Sequence, residues 1–186
     1  VLNEKKDNAI LVFHALTGDQ FVSGINPITK KEGWWSYAVG SSKAIDTDKY
    51  FVICANVIGG CMGSFGPSNI NPETNKIFGT NFPIITINDM VNAQFNLLNF
   101  FKIEKLFAVM GGSMGGMQVL QFVSNFPNKA KVAIPIACTS NHSAQNIAFN
   151  ELGRQSIMAD ANWSGGNYSN QNKNPNKGLS VARMAA

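Results

Sequence analysis

The sequence predicts an α/β fold built on a doubly wound, mostly parallel sheet. Short, uninterrupted apolar runs alternate along the chain with longer segments whose apolar residues recur at helical spacing. An apolar run without alternation is typical of a strand that is covered on both faces, as in a parallel sheet. The order of strand, helix, strand, helix and strand implies crossover connections that place helices against the sheet.

The predicted strands and the first two helices follow one another along the chain. The strands are apolar runs bounded by polar or turn-forming residues, at 9–13, 50–55, 106–110 and 132–137. The first helix is predicted at 87–101, where Thr86 is placed to cap the N-terminus and Asp89 follows three residues later. The second helix is predicted at 114–126 because Pro127 cannot continue it.

The C-terminal part of the chain has a different pattern. A third helix is predicted from Ser143 to about 158 on the spacing of its apolar residues. Residues 164–178 are rich in asparagine, glycine and lysine, and we expect them to form a loop. Residues 179–186 are predicted to begin a further helix.

Composition and charge narrow the class of protein. With 186 residues, 45% hydrophobic and 14% charged, the chain can bury the core of a single domain. No apolar run reaches the roughly 18 residues that span a bilayer, and the N-terminus lacks an apolar signal core. We therefore expect a soluble, cytoplasmic protein without a membrane partner. The net charge of +4 is scattered along the chain, so we expect no nucleic acid partner.

The cysteine and histidine pattern argues against a metal site. Cys54, Cys61 and Cys138 form no C-x-x-C pair and are odd in number, which favours reduced thiols over a disulfide framework. His14 and His142 are far apart and have no paired carboxylates nearby in sequence. The sequence therefore predicts no metal ligands.

The segment that predicts chemistry lies between the third strand and the second helix. Residues 111–116 read GGSMGG, which is the G-x-S-x-G nucleophile elbow of the α/β-hydrolase fold in its strand-turn-helix context. Small residues on either side of Ser113 let the strand and the helix approach each other closely. We predict that Ser113 is the catalytic nucleophile and that the backbone N–H of Met114 stabilises an oxyanion. The alternative is a glycine-rich turn that only packs a helix on the sheet.

A second segment has the same spacing with cysteine as the nucleophile. Residues 59–63 read GGCMG, but residues 64–69 contain glycine, proline and serine and cannot begin an amphipathic helix. An elbow needs that helix. We therefore predict that Cys61 is a loop residue.

The residues after the first strand supply a further candidate. In the α/β-hydrolase fold the loop after an early strand provides the second oxyanion N–H, and the amide of Leu16 is the candidate here. The histidine of the catalytic triad comes last in chain order in this fold, so His14 and His142 both come too early. We predict that His14 shapes the loop.

Several longer segments resemble the homoserine O-acetyltransferases of methionine biosynthesis. They are residues 14–19, 43–54, 56–61 and 66–68, the elbow extended to Gln118, and residues 143–151 and 178–184. The resemblance covers nearly the whole chain. It implies a ping-pong reaction in which Ser113 takes an acetyl group from acetyl-CoA and passes it to the hydroxyl of L-homoserine.

The resemblance also implies a binding residue and an assembly. Arg183 matches an arginine that binds the carboxylate of the amino acid, a task suited to a planar two-pronged donor. Without the resemblance, Arg183 would be read as an ordinary exposed helix residue. Acetyl-CoA enters as a substrate, with no bound cofactor. A homodimer formed through the lid helices is expected.

The resemblance further predicts that the chain is truncated. Residues 1–140 are expected to form part of the hydrolase core and residues 141–186 the beginning of a helical lid, with the triad aspartate and histidine outside this chain. We expect the chain by itself to be inactive, because a serine without its base is a poor nucleophile. A homoserine O-succinyltransferase, a serine O-acetyltransferase, a serine hydrolase and a catalytically inactive binding module stay open as alternatives.

Overall fold

The computed structural model describes residues 1–168 and 173–185. Its strands, in chain order, are β1 (Ala9–Phe13), β2 (Val39–Gly40), β3 (Ile45–Asp46), β4 (Phe51–Ile53), β5 (Ile70–Asn71), β6 (Lys76–Ile77), β7 (Leu106–Gly112) and β8 (Ala130–Ile136). Its α-helices are α1 (Ile87–Phe100), α2 (Met114–Asn125), α3 (Ala144–Met158) and α4 (Asn176–Ala185). None of the helices in the described ranges is long and apolar enough to cross a membrane.

Four of the strands form one parallel sheet in the order β4-β1-β7-β8. The chain places β4 on one side of β1 and then crosses to place β7 on the other side. The carboxyl ends of β1 and β7 therefore flank a switch point, where ligands bind in open α/β sheets. This architecture confirms the predicted α/β fold with a parallel sheet.

The central strand β1 shows why its sequence is an unbroken apolar run. All five of its residues are buried. Leu11 and Phe13 pack in one core cluster with residues of α1 and α2, whereas Ile10 and Val12 pack in a second cluster that includes Val39. Because side chains alternate between the faces of a strand, both faces are covered and no position is left for a polar residue.

The outer strand β8 differs from this pattern. Val132, Ile134 and Ile136 are 43%, 38% and 39% exposed, although their sequence run is as apolar as that of β1. Within the described residues β8 pairs on one side only, with β7. The faces of β8 are therefore covered less by described residues than the faces of β1.

Helix α1 begins where its sequence predicts. The Thr86 hydroxyl accepts a hydrogen bond from the Asp89 N–H at 3.2 Å, and the Asp89 carboxylate accepts one from the Thr86 N–H at 2.9 Å. This is a reciprocal capping box, which satisfies two amides that a helix start leaves without partners. The predicted cap is confirmed.

Other boundaries depart from the sequence prediction. Strand β7 continues to Gly112 because it stays paired with β8 up to Ile136. Helix α4 begins at Asn176, three residues before its predicted start, and a short 3-10 turn at Ser164–Gly166 interrupts the predicted loop at 164–178. The predicted loop residues 169–172 and the final residue of the predicted helix lie outside the described residues. The two-residue strands β2, β3, β5 and β6 are too short to produce a sequence pattern.

The described chain divides into two units. The first contains Val1–Phe65 and Ile84–Ser140, with the four-stranded sheet, α1 and α2. The second contains Gly66–Pro83 and the chain from Asn141 onward, with the β5–β6 hairpin, α3 and α4. The elbow belongs to the first unit.

Candidate active site

Ser113 occupies the sharp turn between β7 and α2 in a strained conformation. Its φ of 55° and ψ of −120° lie outside the regions that residues with a Cβ favour. The Ser113 N–H donates to the Ile136 carbonyl at 3.0 Å, and the Ser113 carbonyl accepts from the Met117 N–H at 3.1 Å. Sheet and helix thus hold both sides of the residue, and its side chain is exposed. Strain enforced by regular structure at an exposed hydroxyl is typical of a functional site.

Three positions around Ser113 must be glycine for this turn to form, because neighbouring atoms leave no room there for a side chain. A Cβ at Gly115 would lie 2.1 Å from the Phe13 carbonyl oxygen. A Cβ at Gly111 would lie 2.6 Å from the backbone of Gly115, and one at Gly116 would lie 2.6 Å from the Cys138 Sγ. The start of α2 is therefore pressed directly against the ends of β1 and β7.

Met114 is the first residue of α2. The first amides of a helix have no acceptor within the helix, and the helix dipole makes this end attractive to negative charge. An oxyanion formed on a substrate held at Ser113 would find such an amide at Met114. The role of Met114 in an oxyanion hole stays a prediction.

Leu16 lies in a tight turn directly after β1. The turn is closed by a hydrogen bond from the Gly18 N–H to the Ala15 carbonyl at 2.8 Å, and the Leu16 side chain is 72% exposed. Because β1 and β7 are neighbours with Phe13 opposite Gly111, the Leu16 turn and the elbow follow adjacent strand ends. The structure thus brings these two predicted elements to the same edge of the sheet. The oxyanion role of the Leu16 amide stays a prediction.

His14 is buried and both of its ring nitrogens are engaged. The Val57 N–H donates to His14 Nε2 at 3.1 Å, so Nε2 is the acceptor nitrogen and Nδ1 carries the proton that it shares with the Ala15 carbonyl at 2.8 Å. The ring joins the loop after β1 to the loop after β4. This geometry agrees with the prediction that His14 shapes the loop.

Replacing His14 with alanine is expected to lower the free energy of unfolding by about 2 to 3 kcal/mol, because the buried Val57 N–H would lose its acceptor. Urea denaturation measures this change. His142 is exposed, and H142A is the matched control, for which we expect a change within about 0.5 kcal/mol. Equal unfolding midpoints for H14A and H142A would contradict the structural role of His14.

The segment around Cys61 has the spacing of a nucleophile elbow but lacks its helix, and Cys54 is a partly buried thiol. Cys61 is exposed in the loop after β4, and no helix begins after Gly63 before Ile87 except the short turn at Gly79–Asn81. Burial, with the negative charge of Asp19, raises the pKa of the Cys54 thiol to about 12, so Cys54 holds its proton at neutral pH. The prediction that Cys61 is a loop residue is confirmed.

Arg183 lies on α4 in the second unit. Its side chain is exposed, and it makes no ion pair or hydrogen bond with any residue in the described ranges. The exposed guanidinium can be reached from solvent. The assignment of Arg183 to a substrate carboxylate stays a prediction.

A comparison with protein families settles the class of fold. The family profile described as alpha/beta hydrolase fold matches residues 8–186. The chain belongs to the α/β hydrolases. The strained serine between β7 and α2 is the position at which this fold carries its nucleophile.

This α/β hydrolase is also similar to curated proteins of known activity. It is 90% identical over 185 residues to a homoserine O-acetyltransferase of Pelagibacter ubique, and the match covers 100% of this chain and 50% of that protein. A homoserine O-acetyltransferase of Nitrobacter hamburgensis is 60% identical over 185 residues, with 46% of its length covered. The chain thus spans about half the length of the curated relatives it matches.

One solved structure of a transferase is similar to this α/β hydrolase over its whole length. The homoserine O-acetyltransferase from Bacillus anthracis has a TM-score of 0.91 and 30% identity, with 51% of that chain covered. The similarity includes both described units of the fold. It supports the resemblance inferred from the sequence segments.

Sequence reasoning missed two contacts that shape the site of this α/β hydrolase. The Val57 N–H fixes the ring of His14, and Cys138 packs against Gly116. Both contacts join residues that are far apart in the chain. Neither follows from local spacing, since each depends on how neighbouring strands are paired.

Proposed function

We propose that this chain carries the nucleophile and the oxyanion hole of a homoserine O-acetyltransferase. The observation that carries the proposal is the exposed, strained Ser113 between β7 and α2, in a chain 90% identical to a protein of that activity. Acyl transfer requires a nucleophile held where it can reach a carbonyl carbon. The elbow supplies such a residue.

In the first half of the proposed reaction, the Ser113 hydroxyl attacks the thioester carbonyl of acetyl-CoA. A bond forms between Oγ and the carbonyl carbon, the amides of Met114 and Leu16 stabilise the oxyanion, and the carbon–sulfur bond then breaks. The serine proton passes through a general base to the departing thiol of CoA. We propose that this general base is a histidine assisted by an aspartate, and that both lie in the half of the relatives' length that this chain does not span.

In the second half, the hydroxyl of L-homoserine attacks the acetyl-serine. Its proton returns through the base to Ser113 as the ester bond to the enzyme breaks, and O-acetylhomoserine leaves. Arg183 is proposed to bind the carboxylate of homoserine through its two-pronged guanidinium. The protein is proposed to act as a homodimer in the cytoplasm, and the acyl donor is a substrate, with no resident cofactor.

A second candidate function is hydrolysis of acetyl esters. It is favoured by the solved acetylester hydrolase from Corynebacterium glutamicum, which has a TM-score of 0.81 and 33% identity, with 49% of that chain covered. Both candidates share the acetyl-serine. They differ in the donor, which is an acetyl ester for the hydrolase and a thioester for the transferase, and in the acceptor, which is water for the hydrolase. The elbow geometry serves either reaction equally.

The deciding experiment supplies the full-length protein with acetyl-CoA or succinyl-CoA, and with L-homoserine or L-serine as acceptor. With acetyl-CoA and L-homoserine we expect rapid release of CoA, measured by thiol titration, and formation of O-acetylhomoserine, measured by mass spectrometry. Release of CoA at the same rate without an amino acid would support the hydrolase. Product from succinyl-CoA or from serine would identify one of the other transferases. Absence of CoA release and of O-acylated product with every combination would support an inactive binding module.

A further inference from the structure

Helices α3 and α4 touch through their backbones. A Cβ at Gly178 would lie 2.4 Å from the Ser156 carbonyl oxygen and 2.7 Å from the Ile157 Cα. One turn further along α4, a Cβ at Gly153 of α3 would lie 3.7 Å from the Ala182 Cβ. Two points of close approach fix how far α4 can slide or rotate on α3.

Asp160 fixes the beginning of α4 from the loop after α3. One of its carboxylate oxygens accepts a hydrogen bond from the Gly178 N–H at 2.9 Å, and the other accepts from the Asn162 N–H at 2.9 Å. These backbone bonds, that of Gly178 first, lower the pKa of Asp160 below its usual value, and Lys177 adds to the effect. A carboxylate at this end of a helix satisfies a free amide and complements the helix dipole.

The direction of Arg183 follows from these anchors. Ala182 faces α3, and the next residue along a helix points about 100° away from it. Arg183 therefore projects from the side of α4 and not into the contact with α3, in agreement with its exposure. A shift of α4 at its anchored end would move the guanidinium, because a short helix moves as a rigid body.

We propose that Asp160 is a positioning residue that holds α4 so that Arg183 presents its guanidinium to the carboxylate of the amino acid substrate. The proposal rests on the proposed function, in which Arg183 binds homoserine. Asp160 acts through the helix and touches no substrate. Nothing in the local sequence around Asp160 indicates this role, since its partner Gly178 is 18 residues away.

Replacing Asp160 with alanine in the full-length protein is expected to raise the KM for homoserine by about fivefold to tenfold, the equivalent of one lost helix cap. The rate of acetyl-enzyme formation from acetyl-CoA should stay within about twofold, because that half-reaction does not use Arg183. D160N keeps one carbonyl acceptor and should raise the KM less than D160A does. The matched control is D89A, which removes the capping carboxylate of α1 and should leave the homoserine KM unchanged.

A double-mutant cycle separates positioning from general destabilisation. R183A should raise the homoserine KM. Adding D160A to R183A should raise it no further, because Asp160 acts only through the contact between Arg183 and the substrate carboxylate. An additive effect, or an equal rise in D89A, would overturn the positioning role. So would a D160A protein whose KM for homoserine is unchanged while R183A raises it. If the wild-type protein formed no acetyl-enzyme, the proposed function itself would fail.

Discussion

Replacing Ser113 with alanine is expected to lower the rate of acetyl transfer by at least about a thousandfold, because the enzyme would lose the hydroxyl proposed to carry the acetyl group. The exposed hydroxyl sits between β7 and α2 in a turn that both elements enforce. Mass spectrometry of the full-length protein after mixing with acetyl-CoA should show an added acetyl group in the wild type and none in S113A. Alanine meets the same backbone restriction as serine, so the variant should fold normally.

The competing cysteine provides the reciprocal test of this result. C61A should keep most of the wild-type rate, since Cys61 lies in an exposed loop that no helix follows directly. An acetyl group that persists in S113A and disappears in C61A would contradict the assignment of the nucleophile.

Replacing Gly115 with alanine is the second change with a large expected effect. The new Cβ would lie 2.1 Å from the carbonyl oxygen and 2.8 Å from the carbonyl carbon of Phe13, so the backbone of α2 or β1 must shift. We expect the free energy of unfolding to fall by about 3 kcal/mol or more, since these atoms belong to backbone that cannot move aside. Acetyl transfer should fall by at least about a hundredfold, because the elbow would move relative to the Leu16 turn.

Gly112 gives the matched control for this prediction. It lies on the same elbow, but a Cβ there would have no heavy atom within 4 Å. G112A should therefore change the unfolding free energy by less than about 1 kcal/mol. Urea denaturation and acetyl-transfer rates of the two variants provide the comparison. Equal behaviour of G115A and G112A would show that the close approach of α2 to β1 is not required.

The sequence predicted the features that are set by neighbouring residues. The two residues of the capping box, Thr86 and Asp89, are only three positions apart in the chain, so the sequence correctly predicts the beginning of α1. The elbow around Ser113 is equally local, since the strand, the glycines and the helix are continuous in the chain. These short-range patterns were enough to predict the α/β-hydrolase fold, which the family comparison confirms.

Features set by distant contacts could not be predicted in the same way. Helix α4 begins before its apolar pattern does, where Asp160 from the preceding loop caps it. The exposure of β8 depends on how far other elements cover its two faces, which its apolar sequence does not show. The roles of Leu16, Met114 and Arg183 depend on a substrate, and they stay predictions.

The backbone conformation of Ser113 has a consequence for how this segment can evolve. A non-glycine residue held in such a region costs of the order of 1–3 kcal/mol, which glycine would not incur. Selection for stability alone would therefore favour glycine at this position. A serine in this conformation therefore indicates that its hydroxyl serves reactivity and not the stability of the fold.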